Sequence, residues 1–168
     1  MRMRPGAPHQ ALVSGGGRTL IAAIGQTGIS TLKREGDRAT PRARIRPLAG
    51  FVRGRRAIGV PHRGTQRDDG WCDEASSSLY NSWVKLPIGQ SHERLMRDDP
   101  LYDTVLVTDH NQCPRVRGAG SAIFIHVARP LLTGTFGCIA FPDSAFRHRI
   151  VPLGDYLVGI DPRPKRPR

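Results

Sequence analysis

Apolar residues in this chain come in short clusters separated by Gly, Pro and polar turns. Nowhere do they recur at the three- and four-residue spacing of a long amphipathic helix. Ala11–Val13 and Arg18–Ile24 flank Gly15-Gly16-Gly17, a pattern that predicts a β-hairpin. Residues 30–48 are polar and turn-rich, with Gly36-Asp37 and a Thr40-Pro41 break, and predict a loop feeding a further strand. Residues 61–82 predict a long irregular loop leading to Trp83. Its Trp71 and Tyr80 mark it as a functional loop, since a compact domain has few other uses for one. Ser91–Asp98 predicts one or two helical turns with Ser91 as N-cap. Tyr102–Thr108, Ser121–Ala128 and Gly137–Phe141 read as buried strands because each has a core of β-favouring residues. Asp143 is placed to cap a short helix reaching about Ile150, and Tyr156–Ile160 reads as a closing strand. The sum is a mostly β architecture with one or two short helices.

Composition narrows this further. At 168 residues the chain fits one domain, and an apolar fraction of 38% with Gly 19 and Pro 14 favours short strands and turns over a helical bundle. Residues 1–9 are expected to be a flexible lead-in, 10–161 the domain, and 162–168, with its prolines, a basic disordered tail. No stretch approaches the roughly 20 apolar residues of a membrane span. Arg2 and Arg4 are followed by Pro5, Pro8, His9 and Gln10 rather than a continuous apolar run, so no clear secretory signal is expected.

The net charge is +12, almost all from arginine, densest at Arg53, Arg55 and Arg56 and from Arg163 to Arg168. Such a balance suits an anionic partner, and a non-catalytic basic binding module is one reading of it. The arginines are otherwise scattered and lack the aromatic interleaving of a nucleic-acid groove, so no specific nucleic-acid partner is expected.

The chemistry-bearing residues are few. Cys72, Cys113 and Cys138 form no CxxC, and His110 with Cys113 is an isolated HxxC, so no metal and no other cofactor is expected. Along 123–128 the two-residue strand period puts Ile123, Ile125 and Val127 on one face and Phe124, His126 and Ala128 on the other. Twelve positions after His126 comes Cys138, preceded by Thr135-Phe136-Gly137. A thiol is mostly protonated near neutral pH, and an imidazole beside it can take its proton and return it to a leaving amine. Two short strands joined by a loop of about ten residues can bring such a pair together.

Residues 121–141, SAIFIHVARPLLTGTFGCIAF, resemble the signature of L,D-transpeptidase catalytic domains, where a His on a strand precedes Ser/Thr-x-Gly-Cys. STLKREGDRATP at 30–41 resembles the family's Lys-x-x-Gly-Asp-x-x-Thr-Pro segment. GWCDEASSSLYN and SHERLMRDDPLYDTVLVTDHN resemble segments preceding the His in one bacterial branch. These cover most of residues 10–160 in the family's order.

The resemblance implies a β-sandwich catalytic domain acting on peptidoglycan stem peptides in the periplasm or cell envelope. Cys138 would be the acylated nucleophile and His126 the general acid/base. Thr135 would shape the site, and a Gly137 backbone group would orient the imidazole or hold the oxyanion. Arg129, Phe136 and Trp71 are candidate substrate contacts. An amine acceptor makes the reaction a cross-linking transfer, and water makes it an L,D-carboxypeptidase or amidase. The chain departs from the family pattern at Ala43 and Ile45, where a Gly and an aromatic are usual, and at Ala140, where many members carry an Arg. Arg129 or Arg147 is the candidate replacement for that Arg. In an oxidising compartment Cys72 and Cys113 either pair or remain ordinary thiols.

Overall fold

The computed structural model describes residues 1–54 and 57–159. It is mostly β, and its only α-helix among the described residues is α1, Asp143–Arg147. Strands β1 (Arg2–Arg4), β2 (Ala7–Gly15) and β3 (Arg18–Ala23) begin the chain. Residues 1–9, read above as a lead-in, thus hold an edge strand and the start of β2. The β2–β3 hairpin closes at the Gly15↔Arg18 pair, and its turn residues Gly16 and Gly17 sit at φ 54° and 73°, the left-handed region a two-residue hairpin turn demands.

The segment read as a loop over 30–48 contains only short pieces, β4 (Ile29–Ser30), β5 (Thr40–Pro41) and β6 (Arg44–Ile45), before β7 (Pro47–Val52) begins. The long loop expected over 61–82 is instead built around β8 (His62–Gly64) and β9 (Asp69–Cys72), and β10 (Ser82–Lys85) starts at its end. The helical turns expected at 91–98 are replaced by β11 (His92–Arg94), which pairs with β9. Pairing with a neighbour outweighed the local capping signal at Ser91.

Strands β12 (Thr104–Thr108), β13 (Phe124–Val127) and β14 (Ile139–Phe141) fall where the apolar runs predicted them, and β15 (Tyr156–Leu157) ends the described strands. The strand expected to reach Ile160 ends at Leu157, with Val158 and Gly159 outside it; Ile160 itself, the 162–168 tail, and Arg55 and Arg56 lie outside the described residues. Helix α1 begins at Asp143 rather than being capped by it, and stops at Arg147, short of Ile150; the Asp143–Arg147 pair spans it at 3.1 Å.

The main sheet runs β1-β2-β3-β14-β13-β12-β7-β8. Its two faces carry different cores. One packs Ile123, Ile125, Val127, Ile139 and Phe141 with the helix residues Ala145 and Phe146, together with Tyr156. The other packs Phe124 and Cys138 with Val105, Tyr102, Trp71 and Leu95. The alternation read along 123–128 therefore separates these two cores.

Over the second face lies a small sheet, β10-β9-β11, fixed by a buried charge. Asp69 is fully buried. Arg63 grips it with two hydrogen bonds of 2.8 and 2.7 Å, the Gln66 amide donates at 2.7 Å and the Trp83 indole at 2.9 Å. Burial alone would raise this carboxyl, but Arg63, the Gln66 amide and Trp83 outweigh it and hold it well below the usual carboxylate range. The Arg63 guanidinium also stacks over Phe51, 4.6 Å from its ring centre, tying the small sheet to β7. Among the described residues, no helix is long and apolar enough to cross a membrane.

Arg63→Ala leaves the Asp69 charge enclosed with fewer partners. We expect a loss of about 2–4 kcal/mol, toward the lower part of the range for fully enclosed pairs because Arg63 is itself partly exposed. Urea unfolding measures it, and a loss below about 0.5 kcal/mol, the size of an ordinary surface change, would contradict this role for Asp69.

Candidate active site

Strands β13 and β14 run parallel as neighbours, with His126 opposite Ala140 and Ile125 opposite Ile139. Parallel neighbours cannot be joined by a tight turn, so residues 128–138 form a crossover that carries the chain back along the sheet. That crossover carries Arg129, Thr135 and Phe136, and it delivers Cys138 just ahead of β14, alongside Phe124. The Cys138 thiol donates to the Ala122 carbonyl at 3.1 Å, and its sulfur accepts the Phe124 amide at 3.4 Å.

Ala122 sits at φ 48°, an unusual backbone for a residue with a Cβ, and something must hold it there. The holder is Asn81, buried and itself at φ 53°. Its Oδ1 accepts the Ala122 amide at 3.1 Å and the Trp71 indole at 3.0 Å, while its Nδ2 donates to the carbonyls of Asn111 and His110 at 2.8 and 3.2 Å. Every polar group of this amide is thereby satisfied. A single side chain links the small sheet, the 110s loop and the carbonyl that orients the thiol.

Two threonines fix the approach to Cys138. Thr135 Oγ1 donates to the Cys138 carbonyl at 2.7 Å and accepts the Gly137 amide at 3.1 Å. Thr40 Oγ1 donates to the Gly137 carbonyl at 2.8 Å and accepts the Gly25 amide at 2.9 Å. Both backbone groups of Gly137 are thus engaged by threonines, and neither orients the imidazole as expected from the resemblance. Its conformation explains the glycine: φ is 136°, and a Cβ would lie 2.9 Å from both the Ala39 carbonyl oxygen and Ile123. The Lys-x-x-Gly-Asp segment serves the same end, because Asp37 binds Lys33 and accepts the amides of Arg34 and Ala39, folding the loop that presents Thr40.

The imidazole is oriented by its own strand. His126 Nδ1–H donates to the Val127 carbonyl at 2.8 Å, which leaves Nε2 as the basic nitrogen. The Tyr102 ring packs edge-on against it, 5.2 Å between centres. His126 and Cys138 line one cavity of about 200 Å³ with Tyr102, Glu93, Arg129 and Phe136. Burial lowers the His126 pKa to about 4, and burial, with the Glu93 charge as the second cause, pushes the Cys138 thiol up to about 12. At neutral pH the pair is therefore a neutral imidazole and a neutral thiol. Among the described residues no hydrogen bond joins them directly; both face the same small space, where a substrate carbonyl can meet the sulfur.

Of the sequence-predicted site residues, Cys138, His126, Thr135, Phe136 and Arg129 come together here. Phe136 is 68% exposed at the rim, with the Arg38 guanidinium 5.2 Å over its ring. Trp71 does not reach the cavity. It lies in β9, buried, with its ring edge-on to Phe124 at 5.1 Å, and supports the site from behind. Arg147 is on α1 paired with Asp143, on the other face of the sheet. Cys72 and Cys113 are free thiols, the first buried and the second exposed, so the candidate disulfide is not formed.

Sequence reasoning missed Asn81, Tyr102, Glu93 and Arg97. Arg97 lines the cavity too but is clamped to Asp99 by hydrogen bonds of 2.9 and 2.7 Å. Comparison of the chain with protein-family models, with curated proteins and with solved structures gives no match.

The unfolded chain takes up a proton on His126 near pH 6.5, the folded chain only near pH 4, so folding releases that proton in between. Stability therefore falls as pH drops through this window, by about 3 kcal/mol for this group alone. Urea titrations from pH 7 to 4 test it, and His126→Phe flattens the slope if the imidazole is its source. Asn81→Ala leaves the Trp71 and Ala122 donors buried without an acceptor and costs about 2–4 kcal/mol, measured by the same unfolding series.

Proposed function

We propose that the protein is an L,D-transpeptidase, a cysteine acyltransferase of the bacterial cell envelope acting on peptidoglycan stem peptides, with a catalytic domain of that family's β-sandwich type. The observation that carries this reading is the shared cavity of Cys138 and His126, with the sulfur fixed between the Ala122 carbonyl and the Phe124 amide. The sequence resemblance over residues 30–41 and 121–141 supports it, because the same segments supply Thr40, Thr135 and Gly137, which build the wall around the thiol.

Cys138 attacks the carbonyl of the bond between the third residue of a stem tetrapeptide and its terminal D-amino acid. As the C–S bond forms, the thiol proton passes to His126 Nε2, since a free thiolate is disfavoured in this buried setting. Collapse of the tetrahedral intermediate breaks the C–N bond, and His126 returns the proton to the leaving amine. A thioester remains. An amine from a second stem peptide then attacks it, giving the cross-link and restoring the thiol. Ala140 leaves the substrate carboxylate without an Arg on β14. Arg129, exposed at the cavity and not held by Asp99 as Arg97 is, takes that role.

Incubation with stem tetrapeptide is followed by intact-mass and product analysis. Wild type gains the thioester adduct and yields dimer, whereas Cys138→Ala gives neither; no adduct on wild type would remove the enzyme reading. Adduct followed only by tripeptide would make the protein a carboxypeptidase. Because His126 stays neutral down to about pH 4, the acid limb of adduct formation lies near pH 4 rather than near the ordinary imidazole value. Arg129→Ala raises KM about tenfold for a substrate ending in a free carboxylate, as expected for a lost charged hydrogen bond, and leaves an amidated substrate unchanged.

A further inference from the structure

Among the described residues Glu93 is the one carboxyl lining the thiol cavity, and the acylation step has no task for it. It projects from β11, opposite Trp71 in the small sheet, and accepts a 2.6 Å hydrogen bond from the Tyr102 hydroxyl. Tyr102 in turn packs against His126. The carboxyl is therefore mounted on a strand and anchored at one oxygen. The groups that act on it are unequal in sign: Asp73 and Glu35 add to the negative field, Arg97 opposes it, and Tyr102 donates its hydrogen bond. Burial raises its pKa above the usual carboxylate value, so a cation entering beside it gains a partner and draws it into the ionised form.

The cavity thus carries one carboxyl, Glu93, together with two cations, Arg97 and Arg129, within a protein whose net charge is +12. A negative charge at Glu93 works against the first half-reaction, because it disfavours the Cys138 thiolate. After acylation that objection is gone, since the thioester sulfur carries no charge. What arrives next is an amine, which near neutral pH is a cation that must shed a proton before it can attack.

We infer that Glu93 is the acceptor-recognition residue of this site, binding the ammonium of the incoming amine and taking its first proton, so that the acyl-enzyme is resolved by an amine in preference to water. This rests on the acyltransfer reading above. The ammonium gives one proton to the Glu93 carboxylate, and the free amine attacks the thioester carbonyl, forming the C–N bond. The second N–H proton passes to His126 Nε2. Collapse breaks the C–S bond, His126 returns that proton to the departing sulfur, and Glu93 later releases its own to water. The acceptor class is a primary alkylammonium, and the exposed Arg129 in the same cavity suits one that carries a carboxylate near the amine.

The test is Glu93→Gln, which keeps an acceptor for the Tyr102 hydroxyl while removing the charge. Wild type and variant are acylated with stem tetrapeptide, and two rates are read separately: adduct formation, and the partition of the adduct between amine product and hydrolysed tripeptide. Two acceptors are compared at pH 7, a diamino acid whose amines are protonated and hydroxylamine, which is neutral. The expected result is adduct formation at or above the wild-type rate, because the charge that disfavours the thiolate is gone; partition to the cationic acceptor is reduced at least about tenfold, as for loss of a hydrogen bond to a charged group, and partition to hydroxylamine is unchanged. Equal loss with both acceptors, or a loss of adduct formation as large as the loss of transfer, would overturn the role of Glu93. Absence of any adduct on wild type is a different failure, and sinks the acyltransfer reading itself.

Discussion

The parallel pairing of β13 and β14 is the constraint from which the site follows. An antiparallel pair would be closed by a short turn, with no crossover to carry functional residues. Parallel neighbours require the chain to travel back along the sheet, and here the return, residues 128–138, becomes one wall of the cavity. The register then puts His126 beside Ala140 and the thiol beside Phe124, so imidazole and sulfur point to the same side of the sheet by the strand period alone. Everything else trims this arrangement. Asn81 sets the carbonyl that orients the thiol, the two threonines set the turn ahead of it, and Asp69 keeps the small sheet seated over the face where these groups meet.

Burial of the pair has a chemical consequence. A thiolate–imidazolium pair would need two charges held on buried side chains, and burial disfavours the charged form of both. Neutral partners can be buried more cheaply, and the neutral thiol is the less reactive form of the sulfur. The fold therefore gains stability from the same neutrality that defers reactivity, and loses some of it once acid charges the unfolded imidazole.

How much of this was legible in the sequence depended on the range of the interaction. The hairpin at Gly15–Gly17 and the three apolar strands are local patterns, and they stand where periodicity put them. The alternation around His126 also held, because a strand between two cores keeps its period. The stretch 61–98 was misread because its order is non-local: β9 is only four residues long and opens on an aspartate and a glycine, and it exists through its pairing with β10 and β11 and through the buried Asp69 carboxylate. Asn81 carried no signal at all, since a turn asparagine and a fully bonded buried one look alike until their partners forty residues away are known. Trp71 was taken for a ligand contact when it is the indole that Asn81 holds. The His–Cys pair was visible as residues, whereas the cavity they share with Tyr102 and Glu93 was not.

Ala140 ties these threads together. It is buried, directly opposite His126, and borders the cavity, so the size of its side chain sets how much room lies beside the imidazole. A longer cationic residue there would place charge in the floor of the pocket and close to the imidazole, whose burial already disfavours a second positive charge. With a methyl group instead, the position beside the imidazole is apolar, and the charges of the cavity come from Arg97, Arg129 and Glu93. Where the family pattern that the sequence resembles has an Arg, Ala140 thus leaves the charge around the thiol to the crossover, at Arg129, and to the 92–97 segment, at Glu93 and Arg97.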